Sequence, residues 1–237
     1  MKWQRLIIPL IPFTYVLAGT VNPAEPAGVV DTYTAASSNQ TARLRGATME
    51  VEIDASLPKL HKQGRLQALR RISRLGRVTY EVIHFEGDRS IKNDVIARYL
   101  AADTQPQAND GASVAVTPAN YKFKYKGMAE KDGRAVHVFQ LTPRKKRVGL
   151  FKGELWLDAE TCLPVRESGR LVKSPSIFLR RIEFVREYEI REGLAVPHSV
   201  DSVVDTRVVG KAELRVRFQN FSLPESPAVS MAVGSGQ

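Results

Sequence analysis

Chemistry in this 237-residue chain would have to come from a small set of groups. The turn Asp158-Ala159-Glu160-Thr161 places two carboxylates close together, a pairing that acid–base catalysis uses. A hairpin connection selects the same residues, because Asp and Thr side chains bond their own turn backbone. We therefore read this turn as structural. His61, His84, His137 and His198 are the four histidines, and none stands at a spacing that pairs it with another ligand. Cys162 is the only cysteine, which excludes an internal disulfide and argues against a cysteine-based metal site, and it reads as a small residue beside a turn. Nucleophile-elbow, phosphate-loop and dinucleotide motifs are missing. The expectation is a binding protein, not an enzyme, with no catalytic residue, metal ligand or cofactor.

Charge gives the next constraint. Thirty-five Lys and Arg against 25 Asp and Glu leave a formal charge of +10. The basic residues cluster at Arg70, Arg71, Arg74 and Arg77, at Arg144-Lys145-Lys146-Arg147, and at Arg180-Arg181. Such loop tips suit either solubility or contact with anionic lipid headgroups. Nucleic acid is disfavoured by the N-terminus, where Lys2 and Arg5 precede an apolar stretch from Leu6 to Gly19. That stretch is short for a membrane span and right for an export signal, with Ala18-Gly19 as the cleavage site. Residues 1–19 are thus expected to be a cleaved signal and the mature chain to be periplasmic. Leu17-Ala18-Gly19-Thr20 looks like a lipoprotein signal in which Thr20 replaces the lipid-accepting cysteine, so no lipid anchor is expected. Residues 28–223 are expected to form one domain and 224–237 a disordered tail.

The elements that would position any site follow from periodicity. Residues 29–45 carry weak helical spacing, with Asp31 as a candidate cap. From Met49 onward the period is two: Met49, Val51 and Ile53 alternate with Glu50, Glu52 and Asp54. The pattern recurs after turns at Leu75-Gly76, Lys131–Gly133, Glu192-Gly193 and Gly210, giving about ten strands in an antiparallel meander. Residues 93–103 break the pattern, with Val95, Ile96, Tyr99 and Leu100 at helical spacing behind Asp94, and are a candidate lid, the alternative being a further strand with a flexible loop after it. Strand twist curls so long a sheet toward its apolar side. The predicted fold is mainly β, a curved antiparallel sheet forming an incomplete, half-open β-barrel with one or two short helices as lid. The apolar face would line a cavity through Val51, Ile53, Tyr80, Val82, Leu155, Leu157, Ile182, Phe184, Tyr188, Leu214, Val216 and Phe218. Trp156 would stand on the wet face.

The segment "VFQLTPRKKRVGLFKGELWLDAETCLPVRESGRL" resembles the LolA-like, outer-membrane lipoprotein-sorting proteins. It has a strand ending in Leu-Thr-Pro, a basic loop, a strand ending in Leu-Trp-Leu-Asp, a turn, and Leu-Pro-Val opening the next strand. The resemblance extends over 121–223 and more weakly back to Leu44. It implies a half-barrel whose helices close a hydrophobic cavity for acyl chains, an architecture shared by LolB and by the sensing domain of RseB. The chain departs from a LolA in its longer hairpins and in the polar run after Leu100. What the resemblance implies is a carrier or chaperone for lipid acyl chains or lipoproteins, the alternative being an envelope sensor that reports to a protein partner. An anionic membrane surface could be met through Arg144, Lys145, Lys146 and Arg147.

Overall fold

The computed structural model describes residues 26–104 and 114–224. The expected signal (1–19), most of the polar run after Leu100, and all but Pro224 of the expected tail lie outside the described residues. Ten strands form one antiparallel sheet: β1 (Thr48–Leu57), β2 (Lys62–Ile72), β3 (Val78–Gly87), β4 (Tyr121–Lys131), β5 (Arg134–Pro143), β6 (Phe151–Asp158), β7 (Pro164–Leu171), β8 (Leu179–Arg191), β9 (Leu194–Thr206) and β10 (Lys211–Ser222). Their order is β3-β2-β1-β10-β9-β8-β7-β6-β5-β4. Each strand therefore pairs with its sequence neighbour, except that β1 pairs β10 while β3 and β4 stand at opposite edges. One more ladder, between β3 and β4, would close a barrel. The sheet is left open at that seam.

Two helical segments cover the concave side. Helix α1 (Pro26–Arg43) begins earlier than the periodicity predicts, which puts Asp31 inside the helix instead of at its cap. Its hydroxyls are satisfied within the helix, Thr34 Oγ1 donating to the Val30 carbonyl at 2.8 Å and Ser38 Oγ to that of Thr34 at 2.9 Å. Val29, Val30 and Tyr33 are buried against β4, β5, β6 and β8. The far end of α1 is pinned to the β8–β9 hairpin: Gln40 exchanges hydrogen bonds with both backbone groups of Ala195, and Arg43 donates to the carbonyls of Glu192 and Gly193.

The second cover follows β3. A turn of helix, α2 (Arg89–Ile91), runs through a π-helical turn at Lys92–Ile96 into α3 (Ala97–Thr104). The predicted helix is present but starts earlier, and its cap is Asp88, whose Oδ1 accepts from the Ser90 backbone at 2.8 Å, not Asp94. Ile91 and Ile96 are fully buried against β1, β2 and β10.

Register fixes the two faces. Leu141, Gly153, Gly169 and Phe184 stand in one row across β5 to β8. The two glycines leave room where strands approach closely: a Cβ on Gly153 would lie 1.8 Å from the Ser168 carbonyl oxygen, and one on Gly169 would lie 2.8 Å from the Phe151 ring. Over this gap the Phe151 and Phe184 rings meet edge to face at 5.0 Å. The opposite face is wet. Glu86, Arg65, Asp54, Arg215 and Asp201 alternate in sign across β3, β2, β1, β10 and β9, with Arg65 2.7 Å from Asp54 and Arg215 2.8 Å from Asp201. Trp156 lies on this face too, its indole N–H donating to Glu154 and its ring under the Arg166 guanidinium.

Three substitutions test this frame in denaturant melts. Gly153→Ala should cost about 1–3 kcal/mol by forcing β6 from β7. Leu157→Glu should prevent folding, because it drives an uncompensated charge among buried groups. Glu187→Lys, on the wet face, should shift stability by about 0.5 kcal/mol or less. An unchanged midpoint for Leu157→Glu, or collapse of Glu187→Lys, would reverse the assignment of faces.

Candidate functional site

The two covers leave the middle of the concave wall exposed between them. Packing under α1 involves β4, β5, β6 and β8, whereas packing under α2 and α3 involves β1, β2 and β10, with Tyr80 and Phe85 of β3 and Val200 and Val204 of β9 partly packed against it. In the interval lie Ile182, Phe184, Arg186 and Tyr188 on β8, facing Val204, Ser202, Val200 and Pro197 on β9. Phe184 is buried, but Ile182, Tyr188, Val200, Ser202 and Val204 are only half-buried. We read this stretch as the floor of a hollow, because Ile182 and Tyr188 belong to neither packed cluster.

The predicted lining residues fall into three groups. Val51, Ile53, Leu214 and Val216 are buried beneath the second cover, with Phe218 and Tyr80 packed partly against them. Leu155, Leu157 and Phe184 are buried beneath α1. Ile182 and Tyr188 lie on the floor of the hollow. Val82 differs: it faces the buried Ala68 across the ladder, yet 47% of its surface is exposed, because β3 is an edge strand at the seam. A bulge between Gln67 and Ala68 leaves Ile83 beside it exposed as well.

Charges on the concave side were not among the predicted site residues. Arg70 has the strand parity of Leu66 and Ala68, and its side chain is only 11% exposed. Its Nε donates to Asp103 Oδ2 at 3.1 Å, and the Tyr80 hydroxyl donates to the same oxygen at 2.7 Å. Asp103 stands on the last turn of α3, one turn beyond Tyr99, so this triad ties the second cover to the sheet. Burial first, and then the negative charge of Asp103, hold the phenols of Tyr80 and Tyr99 well above the usual tyrosine range. Both are neutral hydrogen-bonding groups at physiological pH.

A second pair lies on the floor itself. Glu167 on β7 is paired across the ladder with Leu155 and Arg186, and its carboxylate is 9% exposed. Arg186 Nη1 donates to Glu167 Oε2 at 3.3 Å, and its guanidinium lies 4.6 Å from the centre of the Phe184 ring. Tyr33 of α1 and Tyr188 are raised mainly by burial and then by the Glu167 charge. Tyr99 of α3 also feels Arg186. Phenols from both covers, Tyr33 and Tyr99, thus lie within electrostatic range of one ion pair.

A smaller space opens at the β4 edge. It measures about 370 Å³ and lies between the start of α1 and strands β4 and β5, lined by Ala27, Val30, Tyr121, Phe123, Tyr125 and Phe139, with Asp31 and Arg144 at its margin. Its aromatic lining was also not predicted, although Tyr121, Phe123 and Tyr125 alternate with lysines and carry the signal. A larger groove of about 780 Å³ belongs to the wet face and is lined by the alternating charge row. Its polar walls do not suit an acyl chain.

The end of the sheet formed by the β1–β2, β9–β10, β7–β8 and β5–β6 connections is basic and partly apolar. Leu60, Val208, Ile177, Phe178 and Val148 are exposed there, among Lys59, Lys173, Arg180 and the Arg144–Arg147 cluster. The turns abut, since Arg207 donates from its backbone to the Phe178 carbonyl and from Nε to that of Ile177 at 2.7 Å. Within the basic cluster, Arg144 donates to the Pro118 carbonyl and Arg147 to Asn120, so Lys145 and Lys146 are the exposed cations that carry no such loop-bracing bond.

The acidic turn has a structural role. Asp158 is buried and accepts from the backbone of Glu160 and from both the backbone and hydroxyl of Thr161. Cys162 stands beside it, its thiol pushed up by burial and by the Asp158 charge. Among the described residues no group of three or more His, Cys, Asp or Glu is arranged to hold a metal ion, and no helix is long and apolar enough to cross a membrane.

No protein-family profile and no curated protein matches the chain. Among solved structures it is similar to a LolA superfamily protein from Nitrosomonas europaea, at 12% identity over 85% of this chain and 94% of that one, with a TM-score of 0.38. It is likewise similar to a DUF1329 family protein from Desulfovibrio piger, at 10% identity over 84% and 93%, TM-score 0.43. An outer membrane lipoprotein-sorting protein domain from Vibrio parahaemolyticus aligns at 11% identity over 81% and 92%, TM-score 0.33. At these identities and scores the likeness is one of fold in coarse outline. Function has to be read from the side chains.

Arg70→Met tests the tie between α3 and the sheet. Loss of the guanidinium should destabilise the lid by about 1–3 kcal/mol and speed amide exchange over 89–104, leaving β5–β8 protected. Uniform exchange rates in the two proteins would contradict the latch.

Proposed function

We propose that this protein is an exported carrier for acyl chains, taking up a lipid or the acylated end of a lipoprotein in the hollow between its two covers. The observation that carries the reading is the incompletely covered stretch of β8 and β9 inside an otherwise well-packed concave face. Half-buried Ile182, Tyr188, Val200 and Val204 lose water when a guest arrives. Each methylene buried there contributes about 0.8 kcal/mol, so a chain of moderate length supplies most of the affinity and selectivity within the hollow is loose. The open β3–β4 seam provides a way in without unfolding a ladder. The aromatic groove at β4 extends the apolar surface available at the other edge.

The basic, apolar-tipped end fits an anionic membrane surface as the place of loading or release. Each exposed Lys or Arg near such a surface contributes about 1 kcal/mol, screened by salt. Ile177 and Phe178 would enter the interfacial layer beside them. Export to the periplasm follows from reading residues 1–19 as a signal and belongs to the same proposal.

Three measurements check it. Native mass spectrometry of mature protein prepared without detergent should reveal a bound amphiphile, and an acyl probe should bind and be competed by palmitate; absence of both would end the carrier reading. Vesicle flotation should show binding to phosphatidylglycerol-rich vesicles that fades with salt and falls in Lys145→Glu/Lys146→Glu/Phe178→Ser. Equal flotation of that variant would remove the membrane surface from the proposal.

A further inference from the structure

Arg186 is an anomaly on the concave face. It shares the parity of Ile182, Phe184 and Tyr188, where an apolar side chain would pack. Nevertheless 47% of its side chain is accessible, while Glu167 beneath it is 9% accessible. Its neighbours are drawn from three elements: Glu167 from β7, Phe184 and Tyr188 from β8, and Tyr99 from α3. An arginine at this position is accessible because it borders the hollow.

Its donors are underused. A guanidinium carries five N–H groups in a planar fork. One donates to Glu167, at a long 3.3 Å, and one face rests on Phe184. Among the described residues no other group accepts from Arg186. Desolvation, the largest influence on the group, works against its charge, and the Glu167 carboxylate beside it favours the cation. The side chain is therefore anchored at one corner, with 47% of its surface accessible and most of its fork without an acceptor among the described residues, and the phenols of Tyr99 and Tyr188 are neutral.

We infer that Arg186 is the recognition site for an oxyanion at the head of the guest, so that the hollow takes anionic amphiphiles in preference to neutral ones. This rests on the carrier reading above and names its substrate class. The shared chemistry is a carboxylate or phosphate on an alkyl chain, held by paired N–H···O bonds from the fork while the chain lies over Ile182, Val200 and Val204. Because Glu167 already balances the charge, selection comes from directional donors and not from net potential. Glu167 is also a competitor for the same fork, and weakening it should strengthen the guest.

The test is competition against a bound acyl probe using full-length mature protein, with palmitate, lysophosphatidic acid and the neutral hexadecanol as ligands. Wild type should bind the two anions about tenfold or more tightly than hexadecanol. Arg186→Met should lose that margin while keeping its hexadecanol affinity within about twofold. Arg186→Lys should recover part of it, and Glu167→Gln should tighten anion binding. The ratio of palmitate to lysophosphatidic acid affinity tells carboxylate from phosphate as the preferred head. Equal affinity of wild type for palmitate and hexadecanol, or an unchanged margin in Arg186→Met, overturns the inference and leaves the carrier reading standing. Failure of every ligand to compete overturns both. The retained hexadecanol affinity of Arg186→Met serves as its own control for folding.

Discussion

An antiparallel sheet with one apolar face must cover that face, and here it must do so without closing on itself. Ten strands with β3 and β4 unpaired cannot bury their concave side by barrel closure. The covering falls to helices, and the described residues supply two covers, which pack toward opposite ends of the strand order. Helix α1 precedes β1 and crosses to β4–β8, whereas α2 and α3 follow β3 and fold back over β1, β2 and β10. Neither cluster takes in Ile182 or Tyr188 on β8. The hollow at β8 and β9 is the geometric remainder of this division.

The covers are held differently, and the difference bears on motion. Helix α1 is pinned by Gln40 and Arg43 to backbone groups of one hairpin and by Val29, Val30 and Tyr33 to the core cluster of β4, β5, β6 and β8. The second cover is anchored by Ile91 and Ile96 near its start, while its last turn depends on one carboxylate shared between Arg70 and Tyr80. A hinge at the π-helical turn, with release at Asp103, would widen the hollow while the rest of the core stays intact. Hydrogen bonds to a charged group supply a tie strong enough to order the lid and weak enough to break.

Much of this was legible in the sequence because the strand period is strict. Met49, Val51 and Ile53 alternate with carboxylates, and Leu155 and Leu157 flank an outward Trp156, as the sidedness rule requires. The missed residues obeyed the same rule. Arg186 has the parity of Phe184, and Arg70 that of Leu66. Reading Ile182, Phe184 and Tyr188 as an apolar row while passing over position 186 hid the one charge that breaks it. Glu167 was harder, because its pairing with Arg186 is a matter of register between β7 and β8, which alternation within a strand does not encode. The helix starts shifted for a local reason: Asp88 accepts the amide of Ser90 and so begins the turn ahead of Asp94.

The account depends on hydrocarbon reaching the floor between the covers. The most direct measurement is an isotope-edited NMR experiment on mature protein with uniformly carbon-labelled palmitate, observing nuclear Overhauser contacts from the chain to protein side chains. The account predicts contacts to the Phe184 and Tyr188 rings and to the methyls of Ile182, Val200 and Val204. Contacts confined to exposed residues such as Ile177, Val203 and Val208, with none to that floor, would contradict it.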